Sequence, residues 1–338
     1  MPTTVAPRGK TITALFGKQT VDYATPATVY VPSYILSHTL EEKQPFVADP
    51  VLGQPRNNDR DATDPAPGLP VAQGNIVVPV DFNHFPLHLN ALFGSAQNSG
   101  SSDPYTHVFA SGSETLPWLT MEVGLKGAEG GNIFMLYAGL VASKWSMDWA
   151  RAAGYAKATL EYIFRSETKN AVSAASSVPA PWARAPVPEA IATILIGGVQ
   201  AAKITRINAT YDNKLSPQDF MGPDPHISGL DLAGESDFTG TLGLRFRDAP
   251  GQAATQLYDL AVSQAAGAPA PVDDVAIQFA SGSSRLLKIE APRLWLERTG
   301  PMISGPGLIE QSFAFRAAQS VTAPMLTVTS KSAVASYN

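Results

Sequence analysis

At 338 residues, with 44% hydrophobic and 16% charged positions, the chain is long enough for two cores of ordinary size and carries few charges to spread over them. A net charge of −5 with no basic stripe excludes the electrostatic footprint of a nucleic-acid binder, and the absence of cysteine excludes a disulfide framework or a thiolate metal site. Low charge on a globular chain also points to surface that other subunits cover.

The first twenty residues hold Arg8, Lys10 and Lys18 but no apolar stretch after them, so they read as an arm and not as a signal peptide. No apolar run reaches the roughly 18–20 residues of a membrane span. An extended apolar run over 27–40 leads into a Pro-, Asp- and Gly-rich excursion, 41–74, too long for a passive loop in a compact domain. Residues 75–82 alternate. Pro86 suits the first turn of a short helix over 85–93, and Gly94 its stop. In the run 119–125, Leu119, Met121, Val123 and Leu125 share one face, with Thr120 and Glu122 on the other, which predicts a half-buried strand. Runs 132–149 and 156–165 complete the first half. Residues 166–189, with prolines at 179, 181, 186 and 188, predict an extended linker held down by Trp182.

The second half repeats the order: 202–211, an excursion 212–236, 238–247, a helix over 253–266 closed by Gly267, then 275–280, 285–297 and 308–317. Corresponding segments lie roughly 160–170 residues apart, about one domain. The expected architecture is mainly β, as two tandem sandwich or barrel domains, each with one short flanking helix. The boundaries are an N-terminal arm 1–20, a first domain 21–165, the linker 166–189, a second domain 190–317 and a C-terminal arm 318–338.

Candidate chemistry is sparse. His84 and His88 have the i, i+4 spacing of a helical metal pair, but Pro86 lies between them and no cysteine can add a ligand. Two surface histidines at a helix start is the plainer expectation. Asn57, Asp59, Asp61 and Thr63 mimic the first positions of a calcium loop, which fails at Ala62 and Gly68, where glycine and glutamate are required. Gly9-Lys10-Thr11 resembles the end of a phosphate loop, yet Thr4 stands where the first glycine belongs. Residues 127–131 (GAEGG) read as a turn. Ser113 and Ser304 lack a nucleophile-elbow pattern, and the pairs Asp273-Asp274 and Glu41-Glu42 read as solvated charge. The expectation is therefore no enzyme, no catalytic or metal residue and no cofactor. Trp118, Trp145, Trp149 and Trp295 admit a sugar-stacking shelf, although Trp145 and Trp149 share a face and so fit a core or interface better.

Residues 76–167 resemble phage tail tube proteins: IVVPVDFNHFPLHLNALFG, YTHVFASGSETLPWLTMEVGL, FMLYAGLVASKWSMDW and ATLEYIF. The second half carries a looser version in TRINATYDN, GLDLAGESDFTGTLGLRF, LYDLA and QSFAF. The resemblance covers most of 27–317. It implies a structural protein of the virion tail, assembled in the host cytoplasm, whose rings of six β-domains stack into a hollow conduit for the genome. It also implies that the long loop after the first strand reaches a neighbouring ring, that the arms lock rings together, and that other tail proteins are partners. With two domains per chain, the ring expected is a homotrimer of pseudo-six-fold shape. DNA passes without specific binding and no membrane is involved. A terminator or baseplate hub ring, or a glycan-binding sandwich, are the alternative readings.

Overall fold

A computed structural model describes residues 8–51, 61–126, 131–150, 154–200, 204–245, 259, 261, 271–300, 303 and 310–337. Apart from Asp259 and Ala261, which are helical, the helix expected over 253–266 lies outside the described residues, as do the calcium-like positions 57–60, the turn 127–130 and Ser304.

The chain is mainly β. In chain order the principal elements are β1 (Thr13–Lys18), β2 (Val71–Pro79), α1 (Phe85–Phe93), β3 (Tyr105–Ala110), β4 (Leu119–Leu125), β5 (Ile133–Ala150), β6 (Lys157–Ile163), β7 (Ser166–Asn170), β8 (Thr193–Ile196), β9 (Ile204–Asp212), β10 (Asp237–Arg245), β11 (Val272–Ser281), β12 (Arg285–Leu296), β13 (Glu310–Ala317) and β14 (Thr327–Ser332). Strict alternation of buried with half-buried or exposed positions in β6 and β13 fits strands with one covered face.

The pairing scheme is the same in both halves. In the first, β1, β4, the start of β5 and β7 form one antiparallel sheet. The short strands Ser37–His38 and Glu41–Lys43, then β2, β6 and the end of β5, form the other. In the second half β8, β11, the start of β12 and β14 repeat the first sheet. There β9, β10, β13 and the end of β12 repeat the second. β5 crosses between sheets, and register shifts on both sides of the crossing, at Leu119/Thr120 and Ala142/Lys144, supply the extra residues such a bend needs.

A pair of glycines marks the register of the repeat. A Cβ on Gly74 would lie 2.4 Å from the Thr39 carbonyl oxygen and 2.7 Å from the Leu40 Cα; one on Gly240 would lie 2.1 Å from the Asn208 oxygen and 2.8 Å from the Ala209 Cα. Each glycine lets the neighbouring strand press against its own. Gly240→Ala is expected to cost about 1–3 kcal/mol through forced backbone displacement, read as a lower urea midpoint at unchanged slope, with Gly74→Ala behaving alike.

The halves share one core. β5 pairs with β9 along Lys144–Ala150 and Arg206–Asp212. Across this seam Phe93 packs on Tyr211 at 4.8 Å and Trp149 on Phe279 at 4.9 Å between ring centroids. A second tie comes from the C-terminal segment: β14 pairs with β3 of the first half, and the Tyr337 hydroxyl donates to the Asn83 carbonyl at 2.8 Å.

Two expectations are corrected by this packing, the half-exposed β4 and the external α1. β4 is buried on both faces: Thr120 accepts the Ala27 N–H at 2.8 Å, and Glu122 accepts the Ser173 hydroxyl and the Ala174 N–H, both at 2.6 Å. Alternation in the sequence cannot reveal that the 166–189 segment lies over the polar face. That segment begins as β7 and continues against the first half through bridges at Pro186 and Pro188. The helix α1 is not on the outside either: all its residues but Leu87 are buried. Its start is held by Asp81, whose carboxylate accepts the N–H groups of Asn83, His84 and Ala185 at 2.9, 3.2 and 2.7 Å.

Candidate functional site

The two second sheets join through β5 and β9 into one continuous surface running Ser37–His38 and Glu41–Lys43, β2, β6, β5, β9, β10, β13, β12. One face of it is core: Ile76, Leu160, Trp145, Ala209, Leu242 and Phe313 are buried there. The opposite face carries the alternate residues, among them Asn75, Thr159, Ser146, Asn208, Thr241 and Ser312.

Charges on this polar face are paired across strands. Lys144 lies 3.7 Å from Glu161 and 3.9 Å from Asp212. Lys214, just past β9, reaches Asp212 at 2.9 Å and Asp237 at 3.0 Å. Arg206 grips Asp148 with both a 2.7 Å bond from Nε and a second from Nη2. The hydrogen bonds from Arg206 hold the Asp148 carboxyl below its usual range, and those to Asp212 and Asp237 raise the Lys214 ammonium above its own. Three of the cations on this face, Lys144, Lys214 and Arg206, thus sit against carboxylates among hydroxyls and amides. Lys157 and Arg316 make no ion pair with other described residues.

Both excursions form hairpins. Phe46–Val47 pairs with Ala66–Pro67, and Leu215–Pro217 with Leu230–Leu232. The second hairpin reaches back onto the first half: Arg165 pairs with Asp224 and donates to the Ile227 carbonyl at 2.8 Å, while His226 lies 3.2 Å from Glu42. Hydrogen bonds from the His226 backbone and ring, then the Arg165 charge, push Asp224 down to about 2. The first hairpin leaves Phe46, Val47, Leu69 and Val71 exposed.

The chemical candidates are dispersed. Among the described residues no three His, Cys, Asp or Glu side chains converge as metal ligands. His84 and His88 are buried, not at the surface: a ring nitrogen of His84 meets the Trp182 carbonyl at 3.0 Å, and His88 packs edge-on against Phe16. Trp182 also lies 5.2 Å from Tyr337 between ring centroids. Gly9-Lys10-Thr11 is an exposed 3-10 turn closed by the Thr11 hydroxyl on the Arg8 carbonyl, and the Ser113 hydroxyl is engaged by its own loop at Thr115. Asp273 and Asp274 are exposed. Trp145 and Trp149 are fully buried, which removes them from any sugar-stacking shelf. Trp295 is half-buried under Arg293.

Burial pushes the His88 imidazole down to about 3, against about 6.5 in an unfolded chain. Between those values the unfolded chain binds more protons, so acidification destabilises the fold. The expected loss from His88 is about 2 kcal/mol by pH 5. Urea midpoints at pH 7.5 and pH 5 should converge in His88→Phe relative to the parent.

A polar sheet face, repeated halves joined edge to edge and no converging chemical groups among the described residues define a β-structural protein. A sequence profile of the phage tail tube protein family matches residues 9–317, and the chain belongs to that family. It is thus a structural protein of the virion tail that assembles with itself and with other tail proteins. No curated protein sequence matches it significantly.

Proposed function

We propose that the chain is the repeating unit of a hollow tail tube, with domains 21–165 and 190–317 each taking one of six positions around a ring, rings stacked by their hairpins, and the polar sheet face lining the lumen through which the genome leaves. The observation that carries this reading is the β5–β9 seam, which continues one sheet from the first half into its repeat. A sheet that continues from unit to unit is what a closed barrel requires, and closure removes the edges that otherwise aggregate. The unit has no reaction to perform.

The lumen assignment has an electrostatic consequence. DNA binds a surface in proportion to the phosphates it can neutralise, and a face most of whose cations are already paired offers few. Purified tubes are expected to retain no labelled duplex at 50 mM salt. Replacing Asn208, Thr241 and Ser312 by lysine should leave tubes intact in electron micrographs but make them retain duplex, with at least ten-fold loss of binding at 200 mM salt. Equal retention by both proteins would remove this face from the lumen.

A further inference from the structure

The internal repeat specifies how one copy meets the next. At the seam inside the chain Lys144 lies opposite Asp212, Trp145 opposite Tyr211 and Ser146 opposite Thr210. The equivalent positions in the other halves follow from the pairing registers. Gly74 lies opposite Tyr162 and Gly240 opposite Phe315. Next to them run Ser37–His38 with Glu41–Lys43 on one side and β9 on the other, in the same relative register. Glu41, Glu42 and Lys43 thus stand where Thr210, Tyr211 and Asp212 stand in the repeat.

At the other end, Leu296 opposes Phe315 as Ala142 opposes Tyr162. The Glu297 N–H donates to the Ala314 carbonyl at 2.8 Å, and the Thr299 hydroxyl to the Ser312 carbonyl at 2.8 Å. Glu297, Arg298 and Thr299 therefore correspond to Lys144, Trp145 and Ser146, which β5 brings to the seam.

Neither of these two edges has a second strand partner among the described residues. Glu41–Lys43 pairs only with β2, and the N–H of Glu42, pointing away from β2, is capped instead by the Glu167 carboxylate at 3.0 Å. Glu297 and Arg298 are exposed and form no ion pair with other described residues.

We propose that residues 297–299 of one copy add as an antiparallel strand to Glu41–Lys43 of a second copy, with Glu297 opposite Lys43, Arg298 opposite Glu42 and Thr299 opposite Glu41. This rests on the ring reading above and names its chain-to-chain joint. The charges favour it. The Lys144–Asp212 pair of the internal seam returns as Glu297–Lys43 with its signs exchanged, and Arg298 arrives beside the Glu42 and Glu167 carboxylates. Register is fixed further by face: a slip of one residue in either direction turns every side chain of the added strand to the opposite face, and one of the two slips also sets Arg298 against Lys43, like charges directly opposite being destabilising. The Arg298 carbonyl takes over the Glu42 N–H from Glu167.

Because the chain has no cysteine, disulfide trapping reads this register directly. At the internal seam the Asn213 N–H bonds to the Ser143 carbonyl, which makes the adjacent Lys144/Asp212 position a non-hydrogen-bonded pair, with Cα atoms about 4.5 Å apart and within disulfide reach. Lys43→Cys with Glu297→Cys, and separately Glu41→Cys with Thr299→Cys, should on oxidation give reducible covalent oligomers in a non-reducing gel. Lys43→Cys with Arg298→Cys, one residue out of register, should stay monomeric. Micrographs of the same samples separate the two ideas. Tubes without cross-links at the two matched pairs, or cross-linked only at the mismatched pair, overturn this joint and leave the tube standing. Folded protein forming neither tubes nor cross-links overturns both.

Discussion

Excising residues 46–69 and closing the gap with two glycines is expected to leave a soluble, folded chain that makes no tubes. Loop-closure free energy changes by only about 0.6 kcal/mol per doubling of loop length, so the fold has little stake in this segment. The sheet ends at Glu41–Lys43 and resumes at β2, and the hairpin between them leaves Phe46, Val47 and Leu69 uncovered in the single chain. Its counterpart in the second half shows what such a hairpin does when a neighbour is present: it lies against the adjoining half and pairs Asp224 with Arg165 and His226 with Glu42. The ring reading proposed above gives the first hairpin the same role, with another copy as its partner. Thermal unfolding within a few degrees of the parent, together with the absence of tubes in negative-stain images, is the expected pair of results. Normal tubes from the shortened chain would take the hairpin out of the assembly contacts.

Most of the β framework was legible in the sequence because half-buried strands write their period into it. β6 and β13 read directly, and the order of runs in the two halves anticipated the repeated pairing scheme now seen in β2/β6 and β10/β13. What stayed hidden shares a physical cause: contacts between segments distant in sequence. Glu122 looked like a solvent-facing residue because the alternation says nothing of Ser173 and Ala174, some fifty positions on. His84 and His88 looked like rim histidines because a helix wrapped on all sides has no polar stripe to betray its burial. The pairing of Lys144 with Glu161 and Asp212 needed the seam. Which side of the sheet is polar was readable residue by residue. That the sheet runs unbroken through both halves was not, since β5 changes sheets in mid-strand.

An isolated ring is expected to contain three chains. Each half carries the full set of sheet pairings, and the second begins where the first ends, edge to edge at β5 and β9. If every joint in the ring repeats that one, each chain supplies two consecutive positions, and six positions are filled by three copies joined head to tail. A closed heterologous ring of this kind needs a single kind of joint, which alternates between inside one chain and across two. The 166–189 segment does not oppose this, because it is laid down along the first half and delivers the chain to β8 through Pro188 and Glu189. Native mass measurement of rings released from tubes should give three times 35.7 kDa, and image analysis of the tube should show three-fold symmetry with six similar lobes. Were only one half to line the tube while the other decorated its exterior, six copies of the chain would be needed, and the β5–β9 seam would run radially instead of around the axis. A ring of six times that mass would therefore reject the trimer, and with it the equivalence of the internal and external joints.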